Sequence, residues 1–185
     1  MVRRHDMTAE SLLASIRAAR SGDSHAFEQI MLATERRIAS LAWHILGDAE
    51  EVKEALQETF LRVYRHLRSY DEKRDFFGWL YRISVNVCRD LESRRRRRRF
   101  FFMPIEHASE ARVAEEDFVR KDDVARLMRA IDTLPQKERF AIILRDIEEL
   151  PTGEVASILG STAATVRVQI SNARAKIRKI MESGR

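Results

Sequence analysis

Three sets of side chains in this 185-residue chain could act on a partner, and the chemistry of all three is binding. Trp79, Arg82, Asn86, Arg89 and Ser93 recur at steps of three and four, so they share one face of a helix. Directly after them, Arg94 to Arg99 form an unbroken run of six arginines. Rings and guanidinium planes stack on unpaired bases, cations track a phosphate backbone, and an amide can read a base edge. That combination suits single-stranded nucleic acid better than a duplex. The same spacing is also compatible with a Trp79 packed inward and arginines that form only a wet face.

The second set lies near the C-terminus. Val166, Ile170, Ala173, Ile177 and Ile180 form an apolar stripe of helical period, expected to be buried from about Ala163 to Met181. Rotation of about 100° per residue then points Ala164, Thr165, Val168, Ser171 and Asn172 away from the core. Arg167, Arg174 and Arg178 share one flank, and Lys176 and Lys179 the other. Small and polar side chains between cationic flanks suit a helix that enters a DNA major groove and is held by both phosphate walls. The alternative is an ordinary three-helix unit with a solvated basic surface. The third set, Glu54, Gln57 and Glu58, makes a polar patch beside an apolar helix face. It reads as a dock for a basic protein or as a solvated acidic face.

No constellation points to catalysis. His5, His25, His44, His66 and His107 are scattered without metal-ligand spacing, and neither a phosphate-cradling glycine loop nor a nucleophile motif occurs. Cys88 is the only cysteine, which excludes an intrachain disulfide and a zinc site built on cysteines. The chain is expected to be non-enzymatic, with no catalytic residues, no metal and no cofactor. The N-terminus lacks an apolar signal core and no apolar run has membrane-spanning length, so no membrane insertion and a cytoplasmic location are expected.

The elements that must position these residues read as helices. Apolar residues make up 44% and charged residues 34%, a balance that can fold. All three prolines, Pro104, Pro135 and Pro151, fall between helical patterns, and an all-α fold follows. A short helix carries Leu12, Leu13 and Ile16. The next is expected to be capped by Ser24 and closed by Gly47, with a stripe from Phe27 to Ile45. A third carries Val52 to Leu67. After the polar loop Ser69 to Asp75 comes a fourth, with Phe76, Leu80, Ile83, Val87 and Leu91 inward. Such stripes can close a bundle. Residues 104–123 carry seven acidic against three basic residues and have no regular period, so 100–121 reads as an acidic linker with an aromatic start.

The second unit opens on a helix with Val124, Leu127, Met128 and Ile131. Pro135 suits the first position of another, bearing Phe140, Ile143, Leu144 and Ile147. Thr152 is placed to cap a short helix, Glu154 to Leu159, and Gly160-Ser161-Thr162 makes a tight turn into the last helix. A short helix, a turn and a longer basic helix form a helix-turn-helix. The division is therefore 1–21, an N-terminal helix; 22–99, a helical bundle; 100–121, a linker; and 122–185, the helix-turn-helix unit.

Gln57-Glu58-Thr59-Phe60-Leu61-Arg62, then Phe76-Phe77-Gly78-Trp79-Leu80-Tyr81-Arg82-Ile83 with Asn86 and the basic run, resemble region two of extracytoplasmic-function sigma factors. Leu134-Pro135 with Arg139, Glu154-Val155-Ala156, Leu159-Gly160, Thr165-Val166-Arg167 and Ala173-Arg174 resemble their region four. The resemblance covers roughly residues 22–99 and 122–181. It implies a factor that joins core RNA polymerase, recognises the −35 and −10 promoter elements and promotes strand opening. Glu54, Gln57 and Glu58 would dock on the clamp helices of the polymerase largest subunit. The Ser69–Asp75 loop, with Ser69, Tyr70, Asp71, Lys73 and Arg74, would join Trp79, Arg82, Asn86 and Arg89 on the single-stranded −10 element. Thr165, Arg167, Val168, Gln169, Ser171, Asn172 and Arg174 would face the duplex −35 element. The linker would thread toward the polymerase active-site cleft. The chain departs from the family pattern at Ala164, often glycine, at Glu54, often aspartate, and at Val168, Gln169, Ser171 and Asn172.

Apolar and basic faces on both units also suit a clasping anti-sigma factor. Two other readings use the same residues. A stand-alone repressor or activator would bind duplex DNA tightly without polymerase, and an RNA-binding module would place Trp79 and the arginines on single-stranded RNA.

Overall fold

The computed structural model describes residues 8–101 and 118–183, and all regular structure among them is helical. The chain folds as two compact units, Met1–Phe102 and Met103–Arg185.

In the first unit α1 (Ala9–Arg20), α2 (Ser24–Leu46), α3 (Ala49–His66) and α4 (Phe76–Phe101) surround one core, with a 3₁₀ turn, Leu67–Ser69, after α3. Ile16 of α1, Ile30, Ile38, Leu41 and Ile45 of α2, Val63 of α3 and Leu80 and Val85 of α4 are almost wholly buried. The N-terminal helix is thus part of this core, contributing Leu12, Ile16 and Ala19; Leu13 is only half-buried. Where α3 meets α4 the buried residues are small: Ala55, Thr59, Ser84 and Cys88. They let the two helices approach closely. Buried hydroxyls find partners: Thr34 Oγ1 donates to the Ile30 carbonyl at 2.7 Å, and Thr59 and Ser84 lie 3.5 Å apart. Ile83, expected inward, is half-buried, because the buried face of α4 centres on Leu80, Ser84 and Cys88.

Helix ends follow local chemistry, with corrections. Asp23, not Ser24, caps α2, its carboxylate accepting from Ala26 N at 3.0 Å. A carboxylate also favours the positive end of the helix dipole. Gly47 ends α2 with φ 67°, a left-handed conformation that glycine adopts without a Cβ penalty. Asp48 caps α3 by accepting from the Glu50 and Glu51 amides. The basic run does not end the unit: α4 continues through Phe101, and Arg95 turns back to donate to the Leu46 carbonyl at the end of α2.

The second unit holds α5 (Phe118–Asp132), α6 (Gln136–Ile142), which runs on into a π-helical turn (Ile143–Ile147), α7 (Thr152–Leu159) and α8 (Ala163–Glu182). Helix α8 packs against α5, α6 and α7, over Phe140, Ile143, Leu144, Val155 and Val166. Pro135 sits one position earlier than expected, and Pro151 takes the cap position expected for Thr152. Pro135 and Pro151 occupy the cap positions with extended ψ, and Thr152 is the first helical residue rather than the cap. Each proline carbonyl accepts the first helical bond, from Arg139 and Val155. Three residues of the expected stripes stay exposed: Val124 at 59%, Leu127 at 37% and Ile180 at 38%. They lie in the middle of α5 and near the end of α8, two helices that Arg126 joins by donating to the Met181 carbonyl at 2.7 Å. The acidic strip and the aromatic segment beyond Phe101 lie outside the described residues up to Phe118.

Both tryptophans, Trp43 and Trp79, lie in the first unit, so their fluorescence reports its unfolding. Leu41 is fully buried; Leu41→Ala is expected to lower the stability of that unit by about 2–5 kcal/mol in urea titration. Burial pushes the Cys88 thiol up to about 12. Because the folded value is raised, folding favours the neutral thiol, and this stabilisation is lost as pH rises above the unfolded value toward 12. Native protein at pH 8 is therefore expected to resist a thiol reagent that labels it fully in denaturant.

Candidate nucleic-acid interface

Loop 69–75 and the start of α4 form one braced structure. Tyr70 is buried, with its ring 5.5 Å from Phe76 and 5.1 Å from Trp79, and its hydroxyl donates to the Arg74 carbonyl. Burial raises its pKa, aided by the charges of Asp75, Glu72 and Asp71, so the phenol stays a neutral donor. Trp79 also lies 5.7 Å from Phe76 and is half-buried, so it is neither an open stacking platform nor a core residue. Asp71 accepts from the Lys73 amide at 3.0 Å, and Asp75 caps the first turn of α4 through the Gly78 amide. Ser69, Asp71, Lys73 and Arg74 are exposed on this frame.

Along α4, Arg82 and Asn86 are exposed and Arg89 is half-buried, with an Arg89 guanidinium nitrogen 3.2 Å from Asn86 Oδ1. The amide oxygen of Asn86 is thereby held as an acceptor, and its nitrogen is the donor of the group. Arg96 and Arg97 continue this exposed face, and Arg98 is exposed on another side of the helix. The structure therefore ties the loop to the start of α4 through Tyr70, Phe76 and Trp79, and Arg82, Asn86 and Arg89 follow further along the same helix.

The acidic patch is not isolated. Glu54 and Gln57 are exposed on α3, Glu58 half-buried. Glu54 accepts from Arg94 at 3.3 Å, Glu51 from Arg95 at 2.9 Å, and Glu58 from Arg62 at 2.7 Å, while Arg62 also reaches Asp90 at 3.0 Å. Exposed pairs of this kind contribute little stability, about 0–1 kcal/mol each. Their effect is on orientation: α3 keeps its carboxylates beside the basic end of α4. Leu61 and Tyr64 extend the exposed face of α3 with apolar surface.

In the second unit Thr162 caps α8 by accepting from Thr165 N at 3.1 Å. Thr165, Arg167, Val168, Ser171 and Asn172 are exposed, as the period predicts. Gln169 differs: it is half-buried and its Oε1 is enclosed without a hydrogen-bond partner, so it points partly into the unit. Arg174 is held by two bonds to Asp146, at 2.9 and 2.7 Å, which raise its pKa further and fix its fork. Lys176 is paired with Glu138 at 2.7 Å. A groove of about 460 Å³ beside α8 is lined by Arg145, Arg167, Arg174 and Arg178 with the hydroxyls of Thr152 and Ser171. Four arginines around one groove give it the chemistry to receive an anion, although Arg174 is already paired with Asp146. The sequence showed no sign of Arg145 or Asp146, because the π-helical turn that aims them has no periodic signature.

Residues 30–100 match sigma-70 region 2, and residues 125–177 match sigma-70, region 4. The chain is 30% identical to the RNA polymerase sigma factor NccH of Alcaligenes xylosoxydans xylosoxydans, over 96% of this chain and 97% of that one. The chain is an extracytoplasmic-function sigma factor of the sigma-70 family. It is also 29% identical to the ECF RNA polymerase sigma factor SigW of Bacillus subtilis, covering 89% of this chain and 93% of that one. The solved structure of CnrH in complex with the cytosolic domain of CnrY has the same fold, with a TM-score of 0.71 at 24% identity over 94% of this chain and 98% of that one. This sigma factor is a promoter-recognising transcription initiation factor, and its chemistry is non-enzymatic. Among the described residues no helix is long and apolar enough to cross a membrane.

Arg174 lines the groove and is held there by Asp146. Arg174→Ala in the holoenzyme is expected to weaken promoter binding about equally for all −35 sequences and to lower the log–log salt slope by about 1. Asn172→Ala is expected to change discrimination between −35 sequences instead, with the slope unchanged.

Proposed function

We propose that this sigma factor grips a promoter at two places, with α8 on the duplex −35 element and the loop–α4 surface on the unpaired −10 strand. The observation that carries this reading is Asn86, exposed and oriented by Arg89 beside a loop braced on Tyr70 and Trp79, at the head of a cationic helix face. Extruding a base costs a few kcal/mol of stacking. A preformed loop next to cations that follow the strand can offset this and trap the melted state without ATP. Ser69, Asp71, Lys73 and Arg74 offer polar contacts to the captured base and its phosphates, and Arg82 and Arg89 continue along the strand. On α8, Thr165, Val168, Ser171 and Asn172 read base edges, Arg167 and Arg174 hold phosphates, and Gln169 contributes from the edge of the interface.

Core RNA polymerase takes the α3 face of Glu54, Gln57 and Glu58. A basic partner there would compete with Arg94 for Glu54, so docking releases a cation toward the DNA. This division assigns region two to 22–99, region four to 122–185 and a connecting linker to 100–121, with polymerase and promoter met in the cytoplasm. An anti-sigma factor fits the free protein: Val124, Leu127 and Ile180 leave apolar surface on the second unit, and Leu61 and Tyr64 do so on the first. A relative of the same fold from Bartonella quintana, the sigma factor RpoE, was solved in complex with the anti-sigma factor NepR, at a TM-score of 0.58 and 18% identity over 95% of this chain and 97% of that one.

Run-off transcription with core polymerase tests the reading. Asn86→Ala is expected to reduce open complexes roughly tenfold, about 1.4 kcal/mol, with core affinity unchanged. Gln57→Ala is expected to weaken core binding while leaving promoter discrimination intact. Tight, specific duplex binding by the protein without polymerase would instead support a stand-alone regulator.

A further inference from the structure

The N-terminal helix reaches the loop assigned above to base capture. Glu72, in the middle of that loop, is gripped from α1 by two arginines. Arg17 Nε donates to Glu72 Oε2 at 2.9 Å, and Arg20 donates to Glu72 Oε1 at 2.8 Å. A second nitrogen of Arg20 donates to the Arg68 carbonyl at 3.2 Å, so α1 also holds the turn at which the loop begins. The bond from Arg17, with the charges of both arginines, keeps the Glu72 carboxyl below its ordinary range. Arg20 and Glu72 are about two-thirds covered, with side chains 32% and 27% exposed, whereas Arg17 remains 63% exposed. Helix α1 is itself anchored in the core by Leu12, Ile16 and Ala19.

We propose that α1 is a working part of the −10 recognition site, holding the capture loop in its receiving shape through the Arg17–Glu72–Arg20 clamp. These three are positioning residues. The proposal rests on the reading of loop 69–75 and Asn86 as the strand-capture site. Two physical arguments support it. Tyr70 and Asp75 pin the ends of the loop from beneath, but among the described residues its middle, Asp71 to Arg74, is otherwise held by short-range bonds within the loop. A loop that must order itself as it receives a base loses affinity to that ordering, and a cross-link to a rigid helix removes the loss beforehand. In addition, a bare carboxylate beside a phosphate strand would repel it. Two guanidiniums on one carboxylate leave the cluster with a net positive charge, so Glu72 can brace the loop without opposing the strand.

The experiment uses holoenzyme reconstituted with the full chain and a fluorescent oligonucleotide carrying the non-template −10 strand of a promoter it opens in run-off transcription. Glu72→Gln, the pair Arg17→Ala with Arg20→Ala, and all three changes together form a double-mutant cycle, with Asn86→Ala as the control. Glu72→Gln is expected to weaken oligonucleotide binding about three- to tenfold, with core affinity unchanged. The combined variant is expected to be no weaker than the arginine pair alone, because one interaction is lost only once. Additive losses would mean that the arginines touch the strand independently, and would overturn the clamp. A lowered urea midpoint with unchanged oligonucleotide affinity would reduce the clamp to a structural tie, and overturn it too. Loss of binding with Asn86→Ala but not with Glu72→Gln refutes the clamp alone, whereas no loss with either refutes the capture site itself.

Discussion

The burial of one face of α4 governs everything else in the first unit. Leu80, Ser84, Val85 and Cys88 are locked against α2 and α3, and a helix has no freedom to rotate once its apolar face is committed. Its 26 residues span about 39 Å as one continuous rod. Packing therefore sets the face of the helix on which Asn86 and Arg82 lie. Small residues at Ala55, Thr59 and Ser84 bring α3 close, which sets the acidic face at a fixed distance from the basic end of α4.

Charge is arranged along the same lines. Many of the arginines are paired within the protein: Arg17 and Arg20 with Glu72, Arg62 with Glu58 and Asp90, Arg94 and Arg95 with α3, and Arg174 with Asp146. Surface pairs contribute little to stability, but each orients a side chain that would otherwise sweep a wide arc. The arginines thus divide into ones held by ion pairs, such as Arg174, and ones exposed toward the end of α4, such as Arg96 to Arg98. A sigma factor needs both, since duplex recognition requires register and a melted strand requires a tolerant track.

Much of the fold was legible in the chain. The stripes of α2, α3, α4 and α8 gave their helices, Gly47 and Gly160 gave two of the breaks, and the face of Thr165, Val168, Ser171 and Asn172 is as exposed as its period requires. Capping was less legible. Asp23 and Ser24 are both competent caps, and the choice between them depends on where the packed helix begins. The stripe of α5 is covered only in part, with Ile131 buried but Val124 and Leu127 exposed, because periodicity records which face is apolar but not whether a neighbour covers it.

What the sequence determined by itself is whatever depends on neighbours within a turn or two: helix, break, apolar face and the sign of the charge on the opposite side. The tertiary structure decided which distant residues meet. Arg17 and Glu72 are 55 positions apart, and Arg174 and Asp146 are 28 apart. No local period links them, because their meeting depends on how whole helices are rotated and stacked. That rotation is a property of the shared core, and it exists only once the helices have packed.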